Sequence, residues 1–165
     1  PQGEGRVGAA GGKDWAVSWE GLKITSNLVE GAVFPAGNPV CAKDVAWSMQ
    51  RVLTLGFGNA ATMTEYGFTA ENAEADLVAI DDTTFEMNLS RPYPIALILQ
   101  AIAANRVANV LASKFLMVEE DDGDLGNKYL TTQSACNCYT NIVRSWSRKR
   151  KYCIGIARRE INHFI

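Results

Sequence analysis

Hydrophobic and polar positions alternate most clearly over 83–89. Thr83, Phe85, Met87 and Leu89 share one side, and Thr84, Glu86 and Asn88 share the other. Period-two alternation is the signature of a strand with one buried face. A second such run precedes it, and Asp81-Asp82 between the two supplies turn residues, so a β-hairpin is predicted. The same logic predicts strands over 15–19 and 22–28 around the Glu20-Gly21 turn, with Leu22, Ile24, Ser26 and Leu28 on one face. Gly31, Pro35, Gly37 and Pro39 then interrupt regular structure.

The period changes to 3.6 after Pro39. Val45, Met49, Val52 and Leu53 fall at i, i+4, i+7 and i+8, predicting an amphipathic helix that buries those four. Asp44 sits in its first turn, where the helix dipole favours an anion, and Gly56 and Gly58 end it. Residues 95–104 read as a largely buried helix after Pro92 and Pro94. A short helix over 114–120 is expected with Ser113 as N-cap. Strands are expected over 138–146 and 152–157. The order β-β-α-β-β-α-α-β-β, with hairpin-length connections, predicts an α+β fold in which helices pack on an antiparallel sheet. A Gly-rich, flexible start over 1–14 leads into a single α+β domain over 15–165.

Composition agrees with a globular protein: 165 residues, 47% hydrophobic and 21% charged. No apolar run approaches the roughly 18–20 residues a membrane-spanning helix needs. The first residues, Pro1-Gln2-Gly3-Glu4-Gly5-Arg6, carry no basic-then-apolar leader, as a mature or excised chain also would not, so they leave the compartment open. The net charge of −2 hides an asymmetry. Residues 1–143 hold nine Lys/Arg against 17 Asp/Glu, for −8, whereas residues 144–165 hold seven basic residues and one acid, for +6.

That basic end contains Arg148-Lys149-Arg150-Lys151 between Trp146 and Tyr152. It raises nucleic-acid binding as one reading, through phosphate contacts and stacking. A charged hairpin turn is the simpler one, because the acidic remainder repels a phosphate backbone. The tract Asp121-Asp122-Gly123-Asp124 fails as a calcium loop, since Leu125 stands where an oxygen ligand is needed. Cys136-x-Cys138 with Cys153 and His163 lacks the usual spacing of a zinc site. Cys136 and Cys138 are also too close for a relaxed disulfide within one strand, where alternate side chains stand roughly 6–7 Å apart; a Cys138–Cys153 bridge across a hairpin is conceivable. No nucleophile elbow or phosphate-binding glycine loop is present, so an enzyme is not expected. Trp47, Tyr66, Phe68 and Tyr93 are either pocket walls or core.

Several segments, taken in order, resemble the family 5 extracytoplasmic solute-binding proteins, which bind peptides for ABC importers. They are Leu28-Val29-Glu30-Gly31-Ala32-Val33-Phe34; Gly37-Asn38-Pro39-Val40 with Asp44-Val45-Ala46-Trp47-Ser48-Met49-Gln50-Arg51-Val52-Leu53; Tyr66-Gly67-Phe68-Thr69-Ala70-Glu71-Asn72; Ile80-Asp81-Asp82-Thr83-Thr84-Phe85-Glu86-Met87; Arg91-Pro92-Tyr93-Pro94; and Leu130-Thr131-Thr132-Gln133-Ser134-Ala135-Cys136. The chain departs from the family at Pro35-Ala36, where His then Asp or Asn is common. It departs again at Cys41, where Thr caps the helix, and at Asn137-Cys138-Tyr139, where Gly-Pro-Tyr is common. The resemblance implies part of lobe I of a type II periplasmic-binding-protein fold, extracytoplasmic, monomeric, non-enzymatic and without cofactor or metal. Its partners would be a peptide ligand and a membrane permease, not nucleic acid. The same resemblance nominates Ser134, Ala135 and Cys136 as ligand contacts, with Tyr66 as an aromatic wall. A free-standing α+β interaction module is the alternative.

Overall fold

The computed structural model describes residues 12–34, 37–104, 107 and 109–132. Four strands form one antiparallel sheet in the order β1-β2-β4-β3: β1 Gly12–Val17, β2 Lys23–Leu28, β3 Leu77–Ala79 and β4 Thr84–Asn88. The hairpin expected around Asp81-Asp82 is β3–β4, with Leu77 opposite Met87 and Ala79 opposite Phe85. Its turn is closed by Asp81, whose carboxylate accepts the backbone N–H of Thr83 at 2.7 Å and of Thr84 at 2.8 Å. Residues far apart in sequence meet at the centre of the sheet, where Ile24 pairs with Met87 and Ser26 with Phe85. β1 starts at Gly12 rather than Trp15, because pairing with Leu28 recruits the preceding residues. It stops before Ser18, whose backbone turns to bond Lys23 and Gly21.

Alternation decides which face of this sheet is covered. Ile24, Leu77, Phe85 and Met87 are buried together, whereas Lys23 and Glu86 on the opposite face form an ion pair at 3.0 Å. Onto the buried face packs α1, Ala42–Leu55. Its apolar stripe is Ala42, Ala46, Met49 and Leu53, with Val45 and Val52 half-buried beside it. The expected stripe is thus turned slightly toward the two alanines, whose small side chains admit close approach to β3 and β4. Gly56 ends the helix at φ +61, a left-handed conformation that costs glycine little.

Three short helices were not foreseen: α2 Ala60–Thr64, α3 Ala73–Asp76 and α6 Asn127–Thr132. Each has too few turns for periodicity to register. The loop between α2 and α3 is held by Asn72, whose Oδ1 accepts the Thr69 N–H at 2.6 Å and whose Nδ2 donates to the Gly67 carbonyl at 2.9 Å. That staple places Phe68 in the core with Met63 and Leu77, each contributing roughly 1.5–3 kcal/mol by burial. α4, Ile95–Ala104, buries Ile98 and Ile102 but leaves Leu97 54% exposed, so one face is buried rather than nearly all of it. α5 runs Ser113–Val118 with Ala112, not Ser113, as N-cap. The strands expected over 138–146 and 152–157 lie outside the described residues, as do the start over 1–11, Pro35-Ala36, the Cys138–Cys153 pair, His163 and the basic run 148–151.

Candidate functional site

α1 carries a second buried stripe, and it is polar. Asp44, Ser48 and Arg51, at i, i+4 and i+7, are 4%, 2% and 6% exposed. Each reaches a residue of the downstream segment. Asp44 Oδ1 accepts the N–H and the hydroxyl of Ser113, Ser48 Oγ accepts the N–H of Leu111 at 2.9 Å, and Arg51 Nε donates to the Leu125 carbonyl at 2.8 Å. Ser48 also donates back to the Asp44 carbonyl. The other Asp44 oxygen accepts the Cys41 backbone N–H at 3.0 Å and lies 3.2 Å from its thiol, so Asp44 caps its own helix from within. Burial foremost, and Asp44 beside it, push the Cys41 thiol above its ordinary pKa. Asp44 thus sits in the first turn, as expected, and its buried carboxylate also serves as an internal joint to Ser113.

Beside this stripe lies a cleft of about 450 Å³, bounded by Trp47, Arg51 and Thr54 of α1, by Glu71 and Glu74, and by Leu125. Trp47 is half-buried, and both glutamates are exposed. A hydrogen bond from Thr69, with Glu71's own backbone N–H, holds the Glu71 carboxyl below its usual range, so it is ionised near neutral pH. Arg51 stands over the Phe57 ring at 5.9 Å, and its Nη2 has no hydrogen-bond acceptor among the described residues. Burial lowers its pKa from the ordinary guanidinium value, and the charge of Asp124 opposes that shift. Sequence reasoning missed Arg51, although its place on the helical stripe of Asp44 and Ser48 was a usable signal.

Of the residues nominated by resemblance, Tyr66 does not line this cleft. Ser134, Ala135 and Cys136 lie outside the described residues. Tyr66 is half-buried between α2 and α4, its ring edge-on to Tyr93 at a centroid distance of 5.2 Å and an interplanar angle of 79°. Its hydroxyl lies 3.5 Å from the Leu97 carbonyl. Tyr93 in turn accepts from Arg91 Nε at 2.6 Å and donates to the Glu65 carbonyl. Of the four aromatic residues weighed as pocket walls, Phe68 is core, Tyr66 and Tyr93 pack on each other, and Trp47 alone lines the cleft.

The acidic tract has an internal use. Asp124 accepts the N–H groups of Lys128, Asp121 and Gly126 and so caps α6, which holds its pKa below the carboxylate norm. Lys128 pairs with Asp121 at 2.6 Å. Among the described residues no group of three or more His, Cys, Asp or Glu is arranged to hold a metal ion.

The model of the bacterial extracellular solute-binding proteins, family 5 Middle, matches residues 11–133. Among solved structures, the chain is similar to the substrate-binding domain of an oligopeptide ABC transporter from Bacillus anthracis str. Ames. That match has 27% identity and a TM-score of 0.54, over 68% of this chain and 23% of that one. It is also similar to Listeria monocytogenes OppA bound to peptide, with 23% identity and a TM-score of 0.54 over 68% of this chain and 23% of that one. Haemophilus influenzae OppA in complex with RPPGFSPFR gives 21% identity and a TM-score of 0.51, over 72% and 25%. At those identities the last two matches speak to the fold alone. The chain spans about a quarter of the length of these three structures. No curated protein matches the chain.

Proposed function

Because the chain belongs to the family 5 bacterial extracellular solute-binding proteins, we propose that it is part of the first lobe of a receptor that captures peptides outside the cytoplasm and delivers them to an ABC permease. The observation that carries this reading is the family match across 11–133, which takes in all of the described residues. The 27% identity to an oligopeptide transporter's substrate-binding domain supports peptide as the solute class.

The mechanism follows from the need to bury a flexible ligand on two sides. A peptide laid on one lobe keeps half of its surface in water and gains little net affinity; closure of a second lobe removes that water. The described unit suits the role of a rigid jaw. Its sheet is backed by α1, and α1 is pinned to α5 and the Leu125 loop by the Asp44, Ser48 and Arg51 bonds. In this reading Ser134, Ala135 and Cys136 present backbone groups and small side chains to the peptide, with Tyr66 as a wall. The receptor is non-enzymatic, works as a monomer and needs no cofactor.

Calorimetric titration of the longest reading frame containing this chain, with peptides of two to five residues, tests the proposal. Saturable peptide binding is the expected result. A frame that ignores every peptide yet binds a sugar or a metal complex would overturn the peptide assignment.

A further inference from the structure

We propose that the cleft between α1 and the 70–74 segment is a second small-molecule site, taking a zwitterion with a carboxylate and an ammonium group, such as a free amino acid. The inference stands apart from the peptide-capture reading, since Tyr66, the residue nominated there among the described ones, does not line this cleft.

Arg51 carries the argument. Its side chain is 6% exposed, its Nε is committed to the Leu125 carbonyl, and its Nη2 is buried with no acceptor among the described residues. A guanidinium presents its donors as a planar fork that two carboxylate oxygens satisfy together. Leu125 occupies one prong of that fork from a left-handed backbone at φ +50, an uncommon conformation for leucine. An entering carboxylate would replace the Leu125 carbonyl on Arg51 and also pair Nη2, while Leu125 moves aside. Because Nη2 is covered, binding is coupled to that movement.

The rim selects the rest of the ligand. Glu71 and Glu74 are exposed carboxylates on the far wall, and Glu71 is kept ionised by its own hydrogen bonds. Two negative charges at the mouth repel inorganic phosphate and dicarboxylates and attract an ammonium group. A ligand with one charge of each sign meets both demands. Half-buried Trp47 offers the apolar wall, and about 450 Å³ lies within the range of small-molecule sites.

The test is NMR titration of the isotopically labelled 165-residue chain with L-leucine, N-acetyl-leucine, leucinamide and inorganic phosphate. The expected result is saturable shifts at the Trp47 indole, the Arg51 Nε–H and the Leu125 amide with L-leucine. Each analogue lacking one charge should bind roughly tenfold more weakly, and phosphate weaker still. Arg51→Lys should weaken leucine by a similar factor. Should that variant not fold, Glu71→Gln with Glu74→Gln, both on exposed positions, should abolish the preference for L-leucine over N-acetyl-leucine. Absence of saturable shifts, shifts confined to residues outside the cleft, or phosphate binding as well as leucine would each overturn the proposal.

Discussion

Asp44 Oδ1 accepts the backbone N–H of Ser113 at 3.0 Å and its hydroxyl at 2.6 Å, joining the first turn of α1 to the first turn of α5 across 69 residues of chain. Asp44→Ala strands the Ser113 N–H, the Ser113 hydroxyl and the Cys41 N–H at once. At about 1–3 kcal/mol for each buried donor left unpaired, the variant should lose about 3 kcal/mol or more, read as a fall in the urea midpoint. Ser113→Ala removes one donor and leaves the carboxylate its other partners, so it should cost about 1 kcal/mol. Equal effects of the two variants would contradict the joint.

Gly126 and Gly123 make a matched pair. Both adopt positive φ, +72 and +76, but a Cβ on Gly126 would stand 3.0–3.2 Å from Leu116, its backbone oxygen included, whereas a Cβ on Gly123 meets nothing within 4 Å. Alanine at either position pays the left-handed cost of roughly 1–2 kcal/mol. Gly126→Ala should therefore be the more destabilising by thermal melting, and equal melting temperatures would count against the packing of Leu116 on this loop.

Acid should loosen the β3–β4 turn in a defined direction. The backbone N–H of Thr83 foremost, with Thr84 adding to it, holds the Asp81 carboxyl below its ordinary pKa. A lowered folded pKa means that the stabilisation is present above the unfolded value of about 3.9 and is lost as pH falls through the lower folded value. Following the amide shifts of Thr83 and Thr84 should give a midpoint under about 3.9, and Asp81→Ala should remove that transition. A midpoint at or above the unfolded value would refute the turn geometry.

Tyr66 separates packing from recognition. Tyr66→Phe keeps the edge-on contact with Tyr93 and gives up only the long approach to Leu97, so the stability of the chain should change by under about 0.5 kcal/mol. Tyr66→Ala loses the aromatic contact, worth about 0.5–1.5 kcal/mol beyond the burial of the ring. If Tyr66 is a ligand wall, Tyr66→Ala in the complete receptor should also weaken peptide binding; unchanged affinity removes it from the site.

What the sequence made legible was local. Phe85, Met87 and Leu89 alternate cleanly enough to give the hairpin, and Val45 to Leu53 repeat at helical spacing, so β4 and α1 could be read from a few residues each. The short helices α2, α3 and α6, of four to six residues, offer no period to detect. The burial of Asp44, Ser48 and Arg51 could not be read locally, because their partners Ser113, Leu111 and Leu125 lie 63 to 74 residues downstream. Ser113 was read as a cap because Ser often is one, yet its hydroxyl is drawn to Asp44 and the cap position falls to Ala112. The Arg51 cleft was hidden for the same non-local reason.

The central claim is that this unit is one jaw of a closing receptor. Small-angle X-ray scattering of the complete reading frame, with and without a saturating bound peptide, addresses it directly. The account predicts a smaller radius of gyration on peptide addition, while the 165-residue chain alone stays unchanged. Peptide binding without contraction, or contraction of the 165-residue chain by itself, would contradict it.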